Sequence, residues 1–280
     1  VTLVKVSGTL SHGVYGRDAA LFVNGKLGQR GAYGNAVEFT GSFIDALSME
    51  MRFTFANMGV ELGAVASYIQ PDETTLAWVR PRATREFTVY ETDSDFVYDQ
   101  VHEVDVSGIE PQIAVPHKPD DVMAVSAVAG RKVDQAYLGS CASGRLEDFA
   151  AAAKVLKGRK VHPDVRFICT PGSREVQLAA TRAGYIETLI EANAIVTNAN
   201  CGACPGLHGG ILGPGEVAPV PRSAVHATSR DRGLHRVYLV PRGLPGGIQG
   251  RSESSRPDDA PASAPGGAGT HQLGVLPQPA

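Results

Sequence analysis

The stretch "VDQAYLGSCASGRLEDFAAAAKVLKGRKVHPDVRFICTPGSREVQLAATRAG", residues 133–184, decides the fold. "VDQAYLG" is short and apolar enough for a buried strand. "RLEDFAAAAKVLKG" follows as a helix stopped by Gly158, with lysines in its last turns, where they complement the helix dipole. "VRFICT" is a second strand, and "SREVQLAATRAG" a second helix, with Ser173 as N-cap and Gly184 as its stop. "YIETLIEAN" adds a helix and "AIVT" a third strand. Strands that alternate with helices predict a parallel sheet covered by helices, an α/β fold.

Upstream, "TLVKVSG" alternates like a strand. "AVEFTGSFIDALSMEMRFTFANMGVELGAVASYI" reads as turn, helix, turn and helix, cut by Gly41, Gly59 and Gly63. "PDETTLAWVR" has Pro71 and Asp72 ahead of an apolar stripe, the signature of a capped helix start. Downstream of Ala218 the texture changes. Pro, Gly, Ser, Ala and Arg dominate, without a sustained period beyond "HRVYLV". The expected organisation is an α/β domain over 1–100, a second over 101–218 and an irregular, disordered tail over 219–280.

Composition excludes several classes. Hydrophobic residues make up 43% and charged residues 20% of the 280, ordinary values for a globular protein. A net charge of -3 gives no basic excess of the kind nucleic-acid binders carry, so no nucleic acid is expected. The longest apolar runs fall well short of a bilayer span, so no membrane is expected. No charged-then-apolar leader opens the sequence, and four cysteines do not make a disulfide framework. The expected location is cytoplasmic. In that setting C-x-x-C points to metal or redox chemistry.

Three of the four cysteines fall in loops after strands. Cys141 sits in "GSCASG" between a strand and a helix, and Cys201 and Cys204 sit in "NANCGACPG" after "AIVT". Carboxyl ends of strands are where open α/β sheets build their sites, so the loops converge if the strands are neighbours. Glycines let the backbone approach a bulky centre. A thiol at a helix N-terminus is also stabilised as thiolate, the ligand form. Cys169 lies inside a strand and is expected to be a small core residue. Spacing alone leaves three readings: a zinc site with His208 as fourth ligand, an iron–sulfur cubane with one open iron, or thiols without a cofactor.

Beyond spacing, "YLGSCASGRLEDFAAAAKVLKGRKV", "TPGSREV" and "CGACPGLHGGILGPGE", in that order, resemble the aconitase superfamily, and within it the large subunit of 3-isopropylmalate dehydratase and homoaconitase. "GAYGNAVEFTG", "LSMEMRFTFANMGVELGA", "PDETT" and "VHEVDVSGIEPQIAVPHKPDDV" are similar to the preceding domain of that subunit. The resemblance, from Val1 to about Ala218, implies two α/β domains of the aconitase type. It implies a [4Fe-4S] cluster held by Cys141, Cys201 and Cys204, with one iron free of cysteine. It further implies a hydro-lyase that interconverts hydroxy-acid isomers by dehydration and rehydration. Glu38 in "AVEFTG" matches the family's acidic residue near the cluster, part of its acid–base network. The implied partners are a small hydroxy-di- or tricarboxylic acid and a separate small-subunit chain whose swivelling domain carries a serine base.

Other residues stay open on the sequence. Ser173 is an N-cap or an anion-binding hydroxyl. Arg145 neutralises an anionic substrate or pairs with Glu147 or Asp148. His117 reads as a turn residue, and Asn198 and Asn200 as partners of a cluster or caps of the loop. The sequence also departs from the family. Ala142 and Ser143 stand where threonine and asparagine are usual. The N-R-N-F-x-G-R pattern that binds substrate carboxylate is absent after "ILGPGEVA", and Arg222, Arg230 and Arg232 do not reproduce it. The family's first domain, with its histidine and aspartate groups, is expected to have no counterpart here. The expectation is an incomplete form, inactive alone, with a frameshift at or soon after Ala218. The alternative is a non-catalytic metal-binding or scaffold protein that holds zinc.

Overall fold

In the computed structural model, which describes residues 1–115, 118–204, 209, 211–213, 216–218, 235 and 236, the expected alternation builds two parallel sheets. The first has the order β3-β2-β1-β4, from β1 (Thr2–Ser7), β2 (Ala36–Thr40), β3 (Ala66–Ile69) and β4 (Gln100–Asp105). The helices α1 (Gly16–Leu27), α2 (Ser42–Asp45) and α3 (Met49–Met58) connect these strands, α3 runs into the 3-10 turn Gly59–Leu62, and α4 (Glu73–Val79) follows β3. The expected boundary at residue 100 falls at the start of β4, which pairs with β1 and closes this sheet.

Two expectations for this region change. "AVEFT" and "ASYI" are strands rather than turn and helix. Val37 and Phe39 alternate with Glu38 and pair with Thr2 and Val4 of β1, which buries one face of β2 against the helices. The helix start at Asp72 holds as expected, its side chain accepting from the Thr75 amide. Ser48, which the sequence reading did not single out, caps α3 by accepting from the Met51 amide.

An antiparallel hairpin of β5 (Gln112–Ala114) and β6 (Val122–Ala124) leads to the second sheet, order β7-β8-β9. It comprises β7 (Gln135–Gly139), β8 (Arg166–Thr170) and β9 (Ile195–Val196), with α5 (Leu146–Leu156), α6 (Arg174–Arg182) and α7 (Tyr185–Glu191) between them. Ser173 caps α6, its hydroxyl accepting from the Val176 amide at 3.1 Å. The period-2 rule fixes what each face meets. Leu138 and Cys169, in register, pack with Phe149, Ala180 and Leu189 of the three helices. Tyr137 and Ile168 face the other way, into the cluster built on Val4, Val37, Phe39 and Phe55 of the first sheet and its helices. One continuous core therefore joins the two sheets.

Beyond the cysteine loop, β10 (Val217–Ala218) lies beside β7, where Asp134 bonds both backbone groups of Val217. The bidentate pair Arg166–Glu216 holds the same segment at 2.8 and 2.6 Å. β10 pairs in parallel with β11 (His235–Arg236). Apart from these two residues the expected disordered tail lies outside the described residues, as does the whole unit Gln249–Ala280; Val1–Ile248 forms the other unit. Among the described residues no helix is long and apolar enough to cross a membrane.

Candidate functional site

Cys141 follows β7 in a loop that turns tightly before α5. Gly144 donates to the Ser140 carbonyl, and Gly172 to that of Gly144, each at 2.8 Å. A Cβ on Gly144 would stand 2.5 Å from the Thr170 carbonyl, so only glycine lets this loop lie against β8. Helix α3 holds the loop from the other side. Asn57 Nδ2 donates to the Cys141 carbonyl at 3.3 Å and Thr54 Oγ1 to that of Ala142 at 3.1 Å. These donors are three residues apart, hence on one helix face.

Cys201 and Cys204 follow β9. The Cys204 amide donates to the Cys201 carbonyl at 3.1 Å, closing the C-x-x-C stretch into a turn. The same carbonyl accepts the Tyr137 phenol at 3.0 Å. Gly202 takes φ +54, and a Cβ there would stand 2.3 Å from the phenol oxygen. Asn200 caps the turn with its side-chain oxygen on the Gly202 amide, and Asn198 accepts from Gln177 at 3.1 Å. Both asparagines thus order the loop.

The Cys201–Cys204 turn rests on Tyr137, which lies on the strand that leads into the Cys141 loop. Burial first, and then the negative charge of Cys204, Cys201 and Cys141, push its phenol up to about 12 against the lowering effect of the Thr170 hydroxyl. None of the three is in a disulfide, and Cys204 is buried, Cys141 half-buried and Cys201 exposed. Cys169 lies apart, fully buried in the helix-covered face of the second sheet, where desolvation raises its thiol far above the ordinary value. Its role as a core residue is as expected. Among the described residues no three His, Cys, Asp or Glu side chains stand close enough to share one metal ion.

Glu38 is not brought to these loops. It is buried on the face of the first sheet opposite α3, in register with Leu3 and Tyr68. Its Oε2 accepts from Thr92 at 3.0 Å and Tyr98 at 2.9 Å, and Tyr68 donates to the Tyr90 carbonyl at 2.7 Å. These contacts clasp the strap 83–99 to the sheet. A different acid follows the residues that hold Cys141. Glu61, in the 3-10 turn that continues α3, is buried four residues after Asn57 and seven after Thr54. That polar spacing in "TFANMGVE" was a signal available in the sequence.

Arg145 pairs with neither Glu147 nor Asp148 through its side chain. Its Nε donates to Glu50 of α3 at 2.7 Å and its guanidinium stacks 4.7 Å from the Phe53 ring. Only its amide bonds Asp148, at 2.9 Å, capping α5. Ser143 has a buried hydroxyl with no hydrogen-bond partner among the described residues. His117, His208, Arg222, Arg230 and Arg232 lie outside the described residues.

A sequence model of the aconitase family (aconitate hydratase) matches residues 1–232. The match ends fourteen residues beyond Ala218, at or soon after which the sequence led us to expect a break. The probable methanogen homoaconitase large subunit of Methanothermobacter thermautotrophicus is 46% identical over 77% of this chain and 50% of its own length. The 3-isopropylmalate dehydratase large subunit of Syntrophus aciditrophicus is 46% identical over 76% of this chain and 51% of its own. A solved structure, the holo-form of Thermococcus kodakaraensis aconitase X, superposes with a TM-score of 0.43 and 15% identity over 79% of this chain and 48% of that one. The chain spans about half the length of the curated relatives it matches.

Proposed function

The chain belongs to the aconitase family, and on that premise we propose that it is the cluster-binding part of a hydro-lyase large subunit of the 3-isopropylmalate dehydratase or homoaconitase type. The observation that carries the reading is that Tyr137, on the strand that leads into the Cys141 loop, holds the Cys201–Cys204 turn through the Cys201 carbonyl. Cys141, Cys201 and Cys204 would hold a [4Fe-4S] cluster. The donor set suits it: three cysteines outside any disulfide, set in glycine-bearing turns, with the carbonyls of Cys141, Ala142 and Cys201 tied back by Asn57, Thr54 and Tyr137. Ser143 adds a buried, unpartnered hydroxyl that a cluster sulfur could accept. When bound, the cluster would supply a Lewis acid at the iron that no cysteine holds, acting on the hydroxyl of a small hydroxy-di- or tricarboxylic acid.

The chain's own side chains do the rest. The thiolates bind, and the donors behind them keep the loops in place. An acid–base role falls to a buried carboxylate. Glu38 is the residue the family resemblance names, and Glu61 is the one in the turn that continues α3, four residues after Asn57. The partner would be a small-subunit chain carrying the swivelling domain, in keeping with relatives named as large subunits.

The zinc-holding scaffold makes a different demand. A structural zinc draws four ligands to about 2–2.3 Å from one point, whereas a cubane spreads its cysteines over separate irons. The test is iron and acid-labile sulfide per chain after anaerobic reconstitution, beside Cys201→Ala. About four of each, lost in the variant, is the expected result. Zinc without sulfide would sink the reading in favour of the scaffold.

A further inference from the structure

The Cys201 carbonyl has two lone pairs, and both are used. One takes the Cys204 amide at 3.1 Å, the bond that closes the C-x-x-C turn and so sets the spacing of its two thiols. The other takes the Tyr137 phenol at 3.0 Å. The ring of Tyr137 is itself locked, only 5% exposed within the core that joins the two sheets. The opposite wall is just as close. Gly202, inside the turn, leaves no room for a methyl group against the phenol oxygen. From these contacts we propose that Tyr137 is a positioning residue for the cysteine ligands: its hydroxyl pins the carbonyl that closes the turn and thereby fixes Cys201 relative to Cys204.

The role is distinct from packing. The ring fills the core and packs against Gly202, and the hydroxyl makes the hydrogen bond to the turn. The consequence for a cluster is preorganisation, because ligand sulfurs held at a set spacing do not have to be ordered when the metal enters, nor can one swing away easily afterwards. This inference rests on the cluster reading for its purpose, but not for its test.

Tyr137→Phe in the full chain keeps the ring and removes the peg. In the metal-free protein, hydrogen exchange across residues 200–204 should quicken by about five-fold, the opening expected when one hydrogen bond of typical strength is lost. Tyr68→Phe serves as the control. It removes a tyrosine hydroxyl that bonds the Tyr90 carbonyl and should leave that segment unchanged. Gly202→Ala attacks the same contact from the loop side and should quicken the same amides, which decides the matter if Tyr137→Phe fails to fold. After reconstitution, both variants should lose visible absorbance in air several-fold faster than the unmodified chain. Exchange across 200–204 that matches the unmodified chain in both variants would overturn the proposal. Failure of the unmodified chain to take up iron and sulfide would instead overturn the cluster reading, leaving the exchange result to decide the peg.

Discussion

Single residues carry the strongest consequences where charge is buried. Asp18, at the start of α1, is fully buried and accepts the amides of Tyr15 and Gln112, each at 2.8 Å. Desolvation outweighs those bonds and nearby Arg17, so its carboxyl is raised from 3.8 to about 6. The folded protein therefore holds this proton more tightly than the unfolded chain. The stability it contributes is complete below about pH 4 and is lost as pH rises through about 6, a difference of about 3 kcal/mol. Asp18→Asn should flatten that part of the profile, whatever constant cost it adds at every pH. Urea midpoints measured from pH 4 to 7 would show it, and an unchanged slope in the variant would mean that burial does not govern this group. The cysteines were legible in the sequence because strand ends and C-x-x-C spacing are local features. Tyr137 was not, since its bond to Cys201 spans 64 positions and exists only once β7 and β9 share a sheet.

Among the elements, the strap 83–99 is the least supported by packing, with Phe87, Tyr90, Phe96 and Val97 exposed. Its anchor is Glu38. Glu38→Ala strands the Thr92 and Tyr98 hydroxyls and should cost about 2 kcal/mol, whereas Glu38→Gln keeps an acceptor and should cost less than about 1 kcal/mol. Trypsin cleavage after Arg85 should quicken in the alanine variant only. Equal rates in both variants would mean that the carboxylate does not hold the strap. The same strand shows why "AVEFT" misleads as a sequence. Five residues with one central acid and glycine close behind match a turn, and their strand character comes from pairing with β1 on one side and β3 on the other. By contrast, residues 133–191 read correctly because the strands and helices there are long enough to show their own periods and the helices carry their own stops.

At the scale of the molecule, two sheets share a core, and the cysteine loops lie where α3 of the first meets β7 of the second. Arg145–Glu50 and Arg82–Glu175, at 2.7 and 2.8 Å, tie the two halves across the same junction. A site built this way depends on the whole described unit rather than on the C-x-x-C loop alone. The alternation of elements made each half legible, but the junction was not, because no local pattern states which helix will lie beside which loop. The central claim is that three cysteines hold a four-iron cluster and leave one iron to an exogenous ligand. Mössbauer spectroscopy of the chain reconstituted with enriched iron tests it most directly. About a quarter of the absorption should belong to a distinct iron, whose parameters shift when a hydroxy acid is added. Four irons that do not respond to the acid, or a spectrum of loosely bound iron lacking the cluster signature, would contradict it.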